Sequence, residues 1–100
     1  SLDRIAPGLH AELGAVIEEL AARWPAELPA TTIHADLFPD NVLMLGERIT
    51  GLIDFYFACT DIRLYDLAVM HAAWAFDADG RTHDPAVGDA LLEGYGRQFP

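Results

Sequence analysis

The sequence predicts an α+β fold, a helical base carrying one small β-hairpin. Three observations give it. Apolar residues recur at three- and four-residue steps over two long stretches, and a third stretch opens on Asp84-Pro85, a capping carboxylate followed by proline at a first helical position. Between the first two stretches lie two short apolar runs separated by Gly46-Glu47-Arg48, the pattern of a hairpin. The resulting order is helix, hairpin, helix, helix, which suits a lobe whose sheet is small and whose bulk is helical. The 100 residues have room for one small domain, and a composition of 52% hydrophobic and 22% charged residues is that of a globular chain.

From about Leu9 to Trp24 the residues Leu9, Leu13, Val16, Ile17, Leu20 and Trp24 share one side of a helix. Glu12, Glu18, Glu19 and Arg23 fall largely on the other. Pro25 ends the helix, and Ala26 to Thr31, with Pro29, is a connector. Thr32 to Ala35 is a short extended segment, and Leu37 to Asp40 is a turn helped by Pro39-Asp40-Asn41. Val42 to Leu45 and Ile49 to Ile53 are the hairpin strands. Phe55 to Thr60 is apolar and irregular. A second helix follows from about Asp61 to Phe76, capped by Asp61 or Thr60, with Leu64, Leu67, Ala68, His71 and Trp74 or Ala75 on its stripe. Asp77 to Gly80 is a loop. The third helix, from Asp84-Pro85, has Val87, Leu91, Leu92 and Tyr95 on its apolar side, and Gly94 and Gly96 weaken its end.

The hairpin folds the chain so that Asp54, just past its second strand, lies beside Asn41 at the start of its first. His34-Ala35-Asp36 and Asn41 have the spacing H-x-D-x-x-x-x-N, and Asp54-Phe55 follows thirteen residues later. This is a residue set that can hold an alcohol and magnesium against ATP. Asp36 is the candidate base, with a turn carboxylate capping backbone amides as the rival reading. Asn41 and Asp54 are the candidate magnesium ligands, because that ion takes oxygen donors and keeps several waters. Their rival readings are a turn residue and a strand-end cap. His34 braces the loop through its ring nitrogens, with zinc ligation or acid–base work as alternatives. Asp66 lies near the apolar side of its helix and needs a partner. The backbone around His34 to Asp36 would supply it; a half-exposed helix carboxylate is the rival. Tyr56 and Phe57 directly follow Asp54 and are placed to wall an acceptor pocket. Trp24, Trp74, Phe76, Tyr95 and Phe99 read as packing residues, His71 as a core histidine, and His10 and His83 as surface residues. Cys59, alone in the chain, reads as a small buried hydrophobe and offers no disulfide framework.

A net charge of −10 argues against nucleic acid and against anionic membrane as partners. No apolar run approaches the ~20 residues needed to span a bilayer, Ser1-Leu2-Asp3-Arg4 does not read as a signal peptide, and a reducing cytoplasm is the expected compartment. The six cations are all arginine (Arg4, Arg23, Arg48, Arg63, Arg81 and Arg97), and there is no lysine. Phosphotransfer from ATP calls for a cation on the phosphates and a glycine-rich loop over them. The strand lysine that usually serves as that cation and the glycine-rich loop are both missing, so the expectation is a catalytic lobe separated from its nucleotide-clamping lobe and inactive alone.

The motif, with Ile53-Asp54-Phe55 and then Tyr65-Asp66-Leu67-Ala68, resembles the aminoglycoside phosphotransferase and choline kinase superfamily, small-molecule kinases with a protein-kinase-like fold. The longer strings His34 to Val42 and Gly51 to Cys59 are most similar to the bacterial homoserine kinases within it. The superfamily resemblance runs from about Thr31 to Ala68. It implies ATP- and magnesium-dependent phosphorylation of the L-homoserine hydroxyl, a step toward threonine. It also implies Asp36 as base, Asn41 and Asp54 as magnesium ligands, and Asp66 as a brace. Tyr56 stands where protein kinases carry the glycine of D-F-G, which fits an enzyme without a regulated activation loop. Three alternatives stay open: another small-alcohol kinase of the aminoglycoside, choline or methylthioribose type, a non-catalytic helical interaction module, and a metal-dependent hydrolase holding zinc on His34, Asp36 and Asp54.

Overall fold

A computed structural model describes residues 1–99. Its elements run α1 (Leu9–Arg23), β1 (Ala30–Ile33), β2 (Val42–Leu45), β3 (Arg48–Leu52), β4 (Cys59–Ile62), α2 (Arg63–Trp74) and α3 (Pro85–Gln98), with short 3-10 turns at Leu2–Arg4, Pro39–Asn41 and Phe55–Phe57. The expected α+β architecture and the order of its helices are both present.

The sheet content departs from the sequence expectation in one important way. Two antiparallel pairs form, β2 with β3 and β1 with β4. The first is the expected hairpin, with Val42 opposite Leu52 and Leu45 opposite Arg48. Its turn is tighter than expected. Gly46 supplies a left-handed φ of 62° in a two-residue connection, and Arg48 joins the strand. The second pair was not anticipated. The sequence pattern divides Cys59 to Ile62 between an irregular stretch and the start of a helix, yet the segment pairs with β1, from Ala30 opposite Ile62 to Ile33 opposite Cys59. Thr60 and Asp61 therefore do not cap α2. That helix starts directly from the strand, its Arg63 N–H donating to the Pro29 carbonyl at 2.9 Å, and Asp61 Oδ1 accepts from the neighbouring Ile62 N–H at 2.7 Å. The partner strand lies some thirty residues away, so no local pattern announces it.

The core is thin. Its buried apolar side chains are Ile33, Ile62, Leu67 and Ala75, one from each of β1 and β4, one from α2 and one just past α2. Helix α3 packs on α2. The Tyr95 hydroxyl donates to the Arg63 carbonyl at 3.4 Å, and the Arg63 guanidinium lies 4.2 Å over the Phe99 ring. The Asp84 side chain caps α3 as the sequence indicated, accepting from the Ala86 and Val87 N–H groups. At the other end of the α2–α3 contact the rings of His71, Phe76 and His83 stack with centroids 4.9–5.8 Å apart. Gly88 allows the approach: a Cβ there would stand 3.0 Å from His71 Nε2 and 3.2 Å from His83 Nε2. His83 thus belongs to an aromatic cluster as well as to the surface.

Helix α1 forms as its periodicity demands but buries nothing. Val16, Ile17, Leu20 and the adjoining Trp24 are all exposed, Ile17 at 65%. The whole chain is open in the same sense. Its radius of gyration is 16.5 Å, against about 13 Å for a compact domain of this length. Its accessible surface is 7853 Å², where a compact monomer of 11.0 kDa would show about 5,600 Å².

Candidate active site

Strand β1 delivers the chain to His34, and the loop from His34 to Asn41 is then held almost entirely by polar bonds. The Asp66 carboxylate, projecting from the first turn of α2, accepts from two successive backbone amides: His34 N–H to Oδ2 at 3.1 Å and Ala35 N–H to Oδ1 at 2.8 Å. The Asp36 N–H donates to His34 Nδ1 at 3.2 Å. Because Nδ1 accepts, the ring proton belongs on Nε2, which donates to the Ile53 carbonyl at 2.8 Å. The Asp36 carbonyl accepts from Asn41 Nδ2 at 2.8 Å and from Phe38 N–H at 2.9 Å. Further along, the Leu37 carbonyl accepts from the Trp74 indole at 2.9 Å. Periodicity marks Trp74 only as a packing residue; its position on the helix beside the loop gives it this second task, which nothing in its own sequence neighbourhood signals.

The backbone of Asp36 is thus fixed at both its N–H and its carbonyl, while its half-buried carboxylate accepts only a long bond from Asn41 Nδ2, at 3.5 Å to Oδ2, and the residue lines the cavity described below. Asn41 is buried; its N–H donates to Phe38, its carbonyl accepts from Ile53 N–H at 3.0 Å, and its amide NH₂ is spent on Asp36. Its side-chain oxygen is the remaining donor atom. Asp54 follows Ile53 directly, so the two Ile53 bonds, to His34 and to Asn41, hold the Asp54 backbone against the same loop. The Phe55 ring lies 4.6 Å from that of His34 on the other flank.

Ala35 at φ 68° and Asp54 at φ 62° are the non-glycine residues with left-handed backbone among those described. Such a conformation costs roughly 1–2 kcal/mol for a residue with a Cβ, and it persists where neighbours over-determine it. Here the over-determination is visible: the Asp66 bond on Ala35, and the paired Ile53 bonds before Asp54. The two strained residues immediately precede Asp36 and coincide with Asp54.

Against this geometry, the family model described as the phosphotransferase enzyme family matches residues 2–100. The chain belongs to the phosphotransferase enzyme family. Among curated relatives it is 52% identical over 93 residues to a homoserine kinase of Allorhizobium ampelinum and 56% identical over 95 residues to one of Gluconacetobacter diazotrophicus, each match covering 93% of this chain and 29% of the relative. It is 53% identical over 96 residues to a homoserine kinase of Nitrobacter winogradskyi, covering 96% of this chain and 29% of that protein. The chain therefore spans under a third of the length of these relatives.

A cavity of about 520 Å³ opens beside the loop, lined by Trp24, Ala35, Asp36, Phe57, Cys59, Asp61 and Tyr65. Of the two aromatics expected at an acceptor pocket, Phe57 lines it. Tyr56 does not: it is 86% exposed and meets Phe57 edge-on at 5.4 Å between centroids. Cys59, expected to be buried, is exposed and lines the cavity because β4 turns that face toward it. Asp61 joins the lining from β4 itself, Tyr65 from α2, which β4 leads into, and Trp24 from the end of α1. The amide oxygen of Asn41 and the carboxylate of Asp54 make no hydrogen bond among the described residues, and both are hard oxygens of the kind that fit magnesium sharing its shell with phosphate and water. No group of three or more His, Cys, Asp or Glu converges among the described residues, which gives no support to the zinc alternative. No helix among them is long and apolar enough to cross a membrane.

Proposed function

We propose that this chain is the catalytic lobe of an ATP-dependent kinase that phosphorylates the side-chain hydroxyl of L-homoserine, giving O-phospho-L-homoserine in the cytoplasm on the way to threonine. The observation that carries the reading is the convergence of His34, Asp36, Asn41 and the Ile53–Asp54 segment on one loop, in a chain half identical to homoserine kinases.

The chemistry asked of these residues is mostly positioning, since phosphoryl transfer passes through a loose transition state. Asp36 hydrogen-bonds the acceptor hydroxyl and takes its proton as the oxygen bonds the γ-phosphorus and the bond to the ADP oxygen breaks. Asp36 can aim because its own backbone is tied at both ends. Magnesium, held by Asn41 Oδ1 and the Asp54 carboxylate, would offset the charge of the phosphates. His34 and Asp66 touch neither acceptor nor nucleotide. They set where the Asp36 and Asp54 segments stand relative to each other.

The nucleotide-clamping lobe belongs to the remaining length of the protein. The absence of lysine and of a glycine-rich loop from this chain, its 29% coverage of relatives, and an accessible surface roughly 2,200 Å² above that of a compact monomer all favour a second body packed on it. The test is turnover of the full-length protein with ATP and a panel of alcohols: L-homoserine, choline, an aminoglycoside and methylthioribose. Phosphorylation of homoserine with the highest kcat/KM is expected; preference for another alcohol would replace homoserine, and no phosphorylation of any would end the kinase reading.

A further inference from the structure

Strand β4 presents alternate residues to opposite faces. Ile62 enters the core, while Cys59 and Asp61 face the cavity that Asp36 also lines. The other walls are the aromatic rings of Trp24, Phe57 and Tyr65 and the methyl of Ala35, so the two acidic groups of this cavity are Asp36 and Asp61 and no basic side chain lines it. Asp36 is assigned to the acceptor hydroxyl. Asp61 has no such duty. One of its oxygens accepts from the Ile62 N–H at 2.7 Å, which orients the carboxylate, and the other has no hydrogen-bond partner among the described residues. The ion pairs among the described residues are Arg23–Glu19 and Arg97–Glu93, neither of which includes a residue that lines the cavity.

A half-buried carboxylate on an aromatic-walled cavity, with no cation of its own, is suited to a cation that arrives with the ligand. Ring faces attract an ammonium group, and the carboxylate adds its own Coulomb attraction to the same charge. We propose that Asp61 is the counter-charge for an ammonium group on the acceptor and so selects amino-alcohols over plain alcohols. The proposal rests on the kinase reading above and adds to it which end of the acceptor is recognised, and by what. An α-amino acid acceptor then enters amine first, its hydroxyl turned toward Asp36 and its carboxylate toward the open mouth of the cavity, away from both acidic groups.

The experiment is steady-state kinetics of the full-length protein with L-homoserine and with 4-hydroxybutanoate, the same chain without its amine. If the wild type prefers a different alcohol, its own amine-bearing and amine-free forms are compared instead. The wild type should favour the amine-bearing acceptor. Asp61→Asn keeps the acceptor atom for Ile62 N–H but removes the charge. It should raise KM for the amine-bearing acceptor at least tenfold, with a smaller loss in kcat, and cut the preference at least tenfold. Asp61→Glu restores the charge one methylene away and should recover part of that preference, which a purely structural role for Asp61 would not give. A wild type that does not distinguish the two acceptors, or an Asp61→Asn variant that keeps the full preference, overturns the proposal while leaving homoserine turnover by the wild type, and hence the kinase reading, intact. Should Asp61→Asn fail to fold, calorimetric titration of the wild type and Asp61→Glu with L-2-aminobutyrate and with butanoate decides: equal binding of the two ligands to the wild type overturns it.

Discussion

The loop from His34 to Asn41 and the helix α1 are opposites in how they are held. The loop has almost no regular structure, includes a residue at φ 68°, and is pinned by Asp66, His34, Asn41 and Trp74 through at least six hydrogen bonds of 2.8–3.2 Å. The helix has regular backbone bonds and a clear apolar stripe, yet contributes no buried residue. Rigidity at the site therefore comes from polar side chains of α2 and the loop itself, over a core of four small-to-medium apolar residues. An apolar stripe, by contrast, records that a surface is meant to be covered without saying what covers it.

The largest effect should separate chemistry from scaffold within the loop. In the full-length protein, Asp36→Asn keeps shape and polarity but removes the proposed base, so turnover should fall roughly 10²–10⁴-fold with the melting temperature nearly unchanged. Retention of wild-type kcat would reduce Asp36 to a turn residue. Next comes the helix. From the 65% exposure of Ile17, Ile17→Ala should cost no more than about 0.5 kcal/mol. If the rest of the protein covers α1, the cost in the full-length protein should instead be about 2–5 kcal/mol, as for a buried site. Denaturant unfolding of that variant reads which contrast holds in the whole molecule.

Asp66→Ala leaves the His34 and Ala35 amides without their acceptor and should lower stability by roughly 1–3 kcal/mol. Turnover should fall with it, because the strained Ala35 loses its tie; thermal melts and kcat measured on the same preparation would show whether the two losses travel together. A smaller cost is expected at the α2–α3 contact. Gly88→Ala gains helix propensity but drives a methyl against His71 and His83, for a net loss of about 1 kcal/mol in urea unfolding.

The smallest effect tests polar bracing away from the site. Backbone N–H groups of Thr82 and Arg81 hold the Asp77 carboxyl below the usual carboxylate range. A depressed folded value means that its stabilisation is complete above the ordinary carboxylate pKa and is lost as pH falls through the folded one. Asp77→Asn should flatten that acid limb slightly in melts recorded from neutral to acidic pH, and leave neutral-pH stability little changed, since the group is fully exposed.

Much of the loop was legible in the sequence because its chemistry is local. His34, Asp36 and Asn41 sit within eight residues, and the hairpin that returns Asp54 to them spans few more. The bonds from Asp66 to the His34–Ala35 amides were also foreseeable, since a carboxylate near an apolar helix face must find donors. What stayed hidden depends on distant pairing. Strand β4 exists because β1 is there to receive it, and its Thr60-Asp61 looks like a helix cap when read alone. With the strand went the exposure of Cys59 and the placing of Asp61 and Tyr65 on the cavity. For Tyr56, adjacency to Asp54 fixes its position in the chain but not its direction: in the 3-10 turn at Phe55–Phe57 it stands 86% exposed, while Phe57, itself 60% exposed, lines the cavity.

One imidazole joins the segment of Asp36 to the segment of Asp54, and it does so as a gauge of fixed length. His34 Nδ1 receives the Asp36 amide while Nε2 reaches the Ile53 carbonyl, and the ring between them does not stretch. An asparagine could imitate the nearer atom and a glutamine the farther one, but neither spans both. Substitution at position 34 is therefore governed by span rather than by charge, and any drift in the backbone on either side must be matched on the other to keep the ruler in register.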